Sequence, residues 1–354
     1  PQHASILGTS VPLIKMEVTT GMLKGEDKFY VRIGAQWPRG RKDRSMRASL
    51  APVTALGHVP DSIRALEAVT CEDLDSSKDN SKSLQEAHEL LLDGATYSLV
   101  VVMDGHNGYE AAQFCCKIIE REIHARLPEG AWPQHDSIAG QQWLAQIRGA
   151  LACSISACER KFSAAGLMAG TTVTLVLITG WLVTAANIGD SAAFVDTGKR
   201  IVPLTEDHRL DFSPQSELER MRTYEPKYKI RRLDVHMGGP AEEFELGVGP
   251  LRIWPGGIAV SRGIGDFSVG SIVLSAPRIV QMRVPEGGAR LVIASDGLWD
   301  ADKTSQFETR VIKKVRRLDT LNAARKLLYA AGKGHGLTDD TTVVVVDLMP
   351  SVGD

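Results

Sequence analysis

Four times in this chain an apolar run ends or begins in aspartate. Asp104 closes SLVVVM in the segment DGHNG, Asp190 follows WLVTAAN in IGDS, Asp296 follows LVIA in SDGLWD, and Asp339 and Asp340 precede TTVVVVD. A single Asp-Gly is more often a tight turn than a ligand, and at each position taken alone the turn reading stands. As a set they point to chemistry. Carboxylates delivered to one rim repel unless protonated or joined by a cation. With no His or Cys ligands beside them, the cation expected is Mg²⁺ or Mn²⁺ rather than zinc. A pair of such ions can activate water for in-line attack on a phosphoryl group. No Cys-x5-Arg loop and no Gly-x-Ser-x-Gly elbow offers a covalent route instead. His106, two residues past Asp104, can protonate a leaving alkoxide near neutral pH or, equally in local terms, cap a turn.

The elements that must carry these residues are legible as two periods. Ser98–Met103, Thr171–Ile178, Trp181–Ala186, Leu291–Ala294 and Thr341–Asp347 are short, rich in β-branched residues and bounded by Gly, Asp or Asn, the pattern of buried strands. Thr179-Gly180 predicts a tight hairpin between the second and third. Tyr109–Leu127, Trp143–Phe162 and Phe307–Ala331 repeat apolar residues at helical spacing. Helices covering antiparallel strands predict an α+β layered domain. We expect one domain over 1–354, with an insertion loop around 58–90 and an irregular flap around 207–255, where charges, Pro and Gly follow no clean period. An EF-hand register started at Asp73 puts Lys78 at the turn glycine and Leu84 at the closing glutamate, so a calcium loop is not expected there.

Composition narrows the class. A formal charge of −2 from 41 Lys and Arg against 43 Asp and Glu gives no basic field for nucleic acid, and no apolar run reaches the length of a membrane helix. A soluble monomer is expected. The five cysteines include no Cys-x-x-Cys pair, so a reducing compartment, cytoplasmic or nuclear, fits, with four of the thiols buried on helices. The chain opens on Pro1 rather than Met, as a trimmed sequence would, and a targeting segment is then not observable.

In order, VVMDGHNG, GTTVTLVLI, ANIGDSAA, LTEDHR, AVSRGIGDF, LVIASDGLWD and TDDTTVVVV resemble the successive motifs of the type 2C, metal-dependent protein phosphatases, across Ser98 to Leu348. The resemblance implies a central antiparallel β-sandwich flanked by helices on both faces, two Mg²⁺ or Mn²⁺ ions with a weaker third, and hydrolysis of phosphoserine and phosphothreonine in protein substrates. It implies Asp104 and the Gly105 carbonyl, Asp296 and Asp339 as metal ligands, His106 as the acid, and Asp190 with Asp300 at the third ion. Asp340 stands where the family usually has Asn, and Ala192 where it commonly has Arg. Ser261 and Arg262 are expected to be scaffold, and Gly170, Thr171 and Thr172 strand-start residues. Near the amino end the family shows an Arg followed four and five residues later by Glu-Asp. The first-ranked counterpart is Arg39-Gly-Arg-Lys-Asp43, one residue shorter and with Lys42 for Glu, which gives Arg39 or Arg41 as phosphate clamp and Asp43 as an acid of the metal site. Glu26-Asp27 is the second-ranked alignment. Because of that departure, a pseudophosphatase scaffold is the alternative.

Overall fold

The computed structural model describes residues 12–36, 69–70, 90–91, 96–129, 137–224, 227–302, 304–332 and 336–350. Two long strands come first, β1 (Pro12–Gly21) and β2 (Lys28–Gln36), followed by the short β3 (Val69–Thr70) and β4 (Leu90–Leu91). The chain continues through β5 (Thr96–Met103), β6 (Gly105–His106), helices α1 (Glu110–His124) and α2 (Ile138–Ser163), and β7 (Gly170–Thr171). Next are β8 (Val173–Thr179), β9 (Leu182–Ile188), β10 (Ala192–Asp196) and β11 (Ile201–Pro203). After α3 (Gln215–Arg222), β12 (Lys229–Leu233), β13 (Val248–Trp254) and β14 (Ile264–Gly265), the chain closes with β15 (Arg278–Arg283), β16 (Ala289–Ala294), α4 (Asp296–Trp299), α5 (Phe307–Val315), α6 (Thr320–Ala331) and β17 (Thr341–Pro350).

Two antiparallel six-stranded sheets result, in the orders β11-β10-β16-β17-β1-β4 and β15-β9-β8-β5-β2-β3. Their strands are apolar on both faces because both faces are covered. On β5, Val100 and Val102 enter the core between the sheets, while Leu99, Val101 and Met103 meet α1 and α2. On β17, Val344 and Val346 face the same inter-sheet core, and Val343 and Val345 pack beneath α5 and α6. The outcome is the α-β-β-α sandwich expected from the sequence. Register then fixes what gathers at one rim. β1 pairs with β17 along its whole length, from Pro12 opposite Pro350 to Gly21 opposite Thr341, which lays the loop 22–27 beside Asp340.

Several local expectations are corrected. Phe307–Ala331 is two helices: the apolar stripe runs through both, but Asp319 accepts the Asn322 N–H at 2.9 Å and caps a new start. β1 and β2 were absent from the five predicted strands because Lys15, Glu17 and Gly34 interrupt their apolar pattern. The flap stretch is not structureless. It holds α3 and the β12–β13 pair, over an apolar cluster of its own that includes Leu210, Met221, Tyr228 and Ile253. Of the helical cysteines, Cys115, Cys116 and Cys158 are buried and Cys153 is exposed. No helix among the described residues is long and apolar enough to cross a membrane.

Candidate metal centre

Three of the predicted ligands converge. One carboxylate oxygen from each of Asp104, Asp190 and Asp296 lies within 4.8 Å of the others. Each is set by its strand end. The Asp104 N–H donates to Thr172 Oγ1 (3.2 Å) while its carbonyl accepts from the Thr172 N–H (2.8 Å). Thr172 Oγ1 lies 3.1 Å from Ser191 Oγ, so one buried hydroxyl pair ties the end of β5 to the turn that carries Asp190. Asp296 opens α4 directly after β16. Gly105 must be glycine, since a Cβ there would meet the Glu26 carbonyl oxygen at 2.7 Å.

The electrostatics of the group favour a cation. Burial, then the charges of Asp27, Asp296 and Asp190, push Asp104 well above the usual carboxylate range. Burial, followed by the charge of Asp296, raises Asp190 to about 7. Asp296 is likewise raised, chiefly by burial. All the donors are oxygens, which suits Mg²⁺ or Mn²⁺ and not a soft ion. The residues present therefore fit the implied metals.

The remaining predicted residues surround this group in different ways. Asp300 is held by Arg209, whose Nη1 donates to both of its carboxylate oxygens at 2.8 Å, while Nε and Nη2 grip Asp207. Asp339 lies outside the tight group of three. It stands at the more exposed edge, accepting from Lys24 Nζ (3.0 Å) and from the Asp340 N–H (2.9 Å). Asp340, in place of the family's Asn, has a separate task. It accepts the backbone N–H groups of Leu23, Lys24, Glu26 and Asp27; burial alone would raise it, yet these four donors hold it below the usual range. Arg39, Arg41 and Asp43 lie outside the described residues.

The second-ranked pair, Glu26 and Asp27, lies in this loop. Asp27 is fully buried, accepts from Ser295 Oγ at 2.7 Å, and is raised to about 7 by burial, with Asp340 and Asp296 adding to the push. Its Oδ1 finds no hydrogen-bond partner among the described residues. Glu26 Oε1 accepts the Gly108 N–H at 3.0 Å. The only local signal was the acidic pair itself; the register of β1 on β17 made it part of the rim.

His106 has a partner that the sequence reading passed over. Its Nε2 lies 2.8 and 2.9 Å from the two oxygens of Asp266, a fully buried residue held at φ 57° in the GIGDF segment. A carboxylate only accepts, so Nε2 carries the proton. Burial would lower the imidazole pKa, but the bond and charge of Asp266 outweigh it and raise it. A Cβ at Gly170 would collide with both partners of this pair. Of the two residues expected to be scaffold, Ser261 N–H donates to the His208 carbonyl (2.8 Å) and Arg262 Nη1 to that of Ala276 (2.8 Å).

The family model of protein phosphatase 2C matches residues 72–335. The chain belongs to the protein phosphatase 2C family. Among its relatives is a protein named probable protein phosphatase 2C 5 from Arabidopsis thaliana, 36% identical over 258 residues, covering 73% of this chain and 55% of that protein. Probable protein phosphatase 2C 3 from Oryza sativa subsp. japonica is 36% identical over 256 residues, 72% of this chain and 48% of its own. The chain spans about half the length of these curated relatives. A solved structure described as serine-threonine phosphatase 2C from Toxoplasma gondii aligns over 96% of both chains with a TM-score of 0.58 at 15% identity, a likeness of fold.

Proposed function

We propose that this member of the protein phosphatase 2C family hydrolyses phosphoserine and phosphothreonine in proteins with two divalent cations. The convergence of Asp104, Asp190 and Asp296 carries the reading. Mg²⁺ or Mn²⁺ bound there would neutralise phosphoryl charge and supply an activated water. Asp104, Asp190 and Asp296 would hold the ions, with the Gly105 carbonyl, Asp339 and Asp300 at the edge; Asp27, or Asp43 from the first-ranked alignment, would complete the acidic shell. His106, its Nε2 proton fixed by Asp266, would give a proton from Nδ1 to the departing serine oxygen. Without that proton the leaving group is a high-energy alkoxide, so this transfer separates fast from slow turnover.

The phosphate contact is the open part of the site. Four residues before Glu26 stands Met22 rather than Arg, and the cation beside the acids is Lys24, 3.0 Å from Asp339 and 3.9 Å from Glu26. Lys24→Met, Arg39→Met and Arg41→Met, measured for KM on a phosphoseryl peptide, identify the clamp: the variant that raises KM without lowering kcat holds the phosphate. For the activity as a whole, the experiment is phosphate release from that peptide with Mn²⁺ or Mg²⁺. Release that persists in EDTA, or in Asp296→Ala, rules the mechanism out. The departure at Arg39 to Asp43, one residue shorter than the family pattern and with Lys42 for Glu, favours one alternative, a pseudophosphatase scaffold, which predicts protein capture without calorimetric binding of two divalent cations.

A further inference from the structure

Thirteen large apolar side chains are exposed among the described residues, and single exposed apolar residues need no explanation. Their distribution does. Six of them, Leu23, Tyr109, Leu167, Met168, Phe212 and Phe267, sit within three residues of groups that build or brace the candidate centre. The Leu23 N–H donates to Asp340. Phe267 follows Asp266, the partner of His106, and its side chain is 60% exposed. The Asp266 N–H in turn donates to the Ala169 carbonyl, just past Leu167 and Met168. Phe212 lies under the guanidinium of Arg209, 5.2 Å from its ring centre, and that guanidinium grips Asp300. Tyr109 follows Gly108, whose N–H donates to Glu26. Five chain segments far apart in sequence thus present apolar groups to solvent around one acidic centre.

We propose that these side chains form the substrate-contacting rim of the centre, and that it selects phosphoprotein segments carrying bulky apolar residues beside the phosphorylated serine or threonine. This rests on the phosphatase reading, because only a phosphoryl group drawn to the centre brings its flanking residues onto the rim. A flanking Leu or Phe removes its own apolar surface and that of the rim from water. A flanking Asp or Glu would lose hydration against apolar groups and face the carboxylates behind them. Both effects favour the same peptides.

The test uses two fluorescein-labelled peptides of equal length and net charge. Both carry a non-hydrolysable difluoromethylene phosphonate in place of phosphoserine, flanked by Leu and Phe in one and by Ser and Gly in the other. Anisotropy titration with Mn²⁺ present should show the apolar peptide binding about tenfold tighter, less than the full gain of burying two such side chains. The preference should fall to about twofold in the double variant Leu23→Ser, Phe267→Ser; both residues are exposed, so the fold does not depend on them. Equal affinity for the two peptides, no binding of either, or an undiminished preference in the double variant overturns the proposal. Failure of the parent protein to hydrolyse p-nitrophenyl phosphate with Mn²⁺ would count against the phosphatase reading alone, since the rim is judged from binding.

Discussion

At one end of β10 and β17, Asp196 and Asp347 each meet a guanidinium. Arg316 donates to both oxygens of Asp196 at 2.7 and 2.8 Å, and Arg290 to both of Asp347 at 2.6 and 2.7 Å. Thr320 Oγ1 adds a bond to Asp347, and two further Arg290 N–H groups donate to the carbonyls of Val315 and Leu318. At the other end, the turns leading into the same two strands carry Asp190 and Asp339. There Asp190 crowds Asp104 and Asp296, Asp339 stands at the exposed edge against Lys24, and the nearby guanidinium, Arg209, is committed to Asp207 and Asp300. One end satisfies buried acids with protein cations and locks the helices to the sheet. The other leaves like charges together, an arrangement that costs stability until something positive arrives. The same residue type therefore has two meanings, and the partner decides which.

That contrast is broken most severely by Asp296→Ala. Phosphate release should fall on the order of 10³-fold or more, because the proposed mechanism makes Asp296 a metal ligand. Thermal stability in EDTA should rise rather than fall, because a crowded charge is gone, and the stabilisation that Mn²⁺ confers on the parent should shrink or vanish. A lower melting temperature in EDTA would mean that the acid is a structural member like Asp347. The opposite pattern is expected of Arg290→Ala. It strands a carboxylate and unties β16 from the two helix ends, so chemical denaturation should show a loss of about 3–5 kcal/mol, while turnover per folded molecule stays near that of the parent.

Asp266→Asn sharpens the contrast at the centre itself. Asp266 is a buried acid with a partner, yet that partner, His106, is a candidate reactant. We expect a loss of about 10- to 100-fold on a phosphoseryl peptide and a much smaller one on p-nitrophenyl phosphate, whose leaving group departs without a proton. Equal losses on the two substrates would reduce the pair to a structural bond.

Much of this division was readable beforehand. Strand ends are placed by apolar runs, so Asp104, Asp190 and Asp296 could be foreseen at a sheet rim from their neighbours; the same runs with their covering helices gave an α+β layered domain, and the family resemblance gave the sandwich. What was ranked low or escaped was set by pairing at long range. Glu26 and Asp27, second-ranked in the sequence, stand beside Asp340 because β1 aligns with β17 over ten residues, and nothing near LKGEDKF announces that register. Asp266 sits at positive φ in a Gly-rich segment and reads locally as a turn. The break between α5 and α6 was hidden by an apolar stripe that continues through it, although Asp319 was a capping signal in plain view.

Glu17 fits neither end and gives the finest test. It lies in the middle of β1, almost wholly buried, with Oε1 lacking a hydrogen-bond partner among the described residues. Burial raises its pKa to about 7, with Arg325 lowering it only in part and Asp319 adding to the rise. An acid whose folded pKa exceeds its unfolded value binds more protons when folded. Its presence therefore weakens the protein progressively as pH climbs from about 4.5 to about 7, and by a constant amount above that. Glu17→Gln should raise the melting temperature at pH 8 by about 2–4 °C, an effect of about 1 kcal/mol once the cost of burying the amide is set against the relief of the charge. At pH 4, where the carboxyl is already neutral, the substitution should change little. A benefit that is the same at both pH values would show that shape rather than charge is relieved, and would return Glu17 to the class of acids whose needs the protein itself has met.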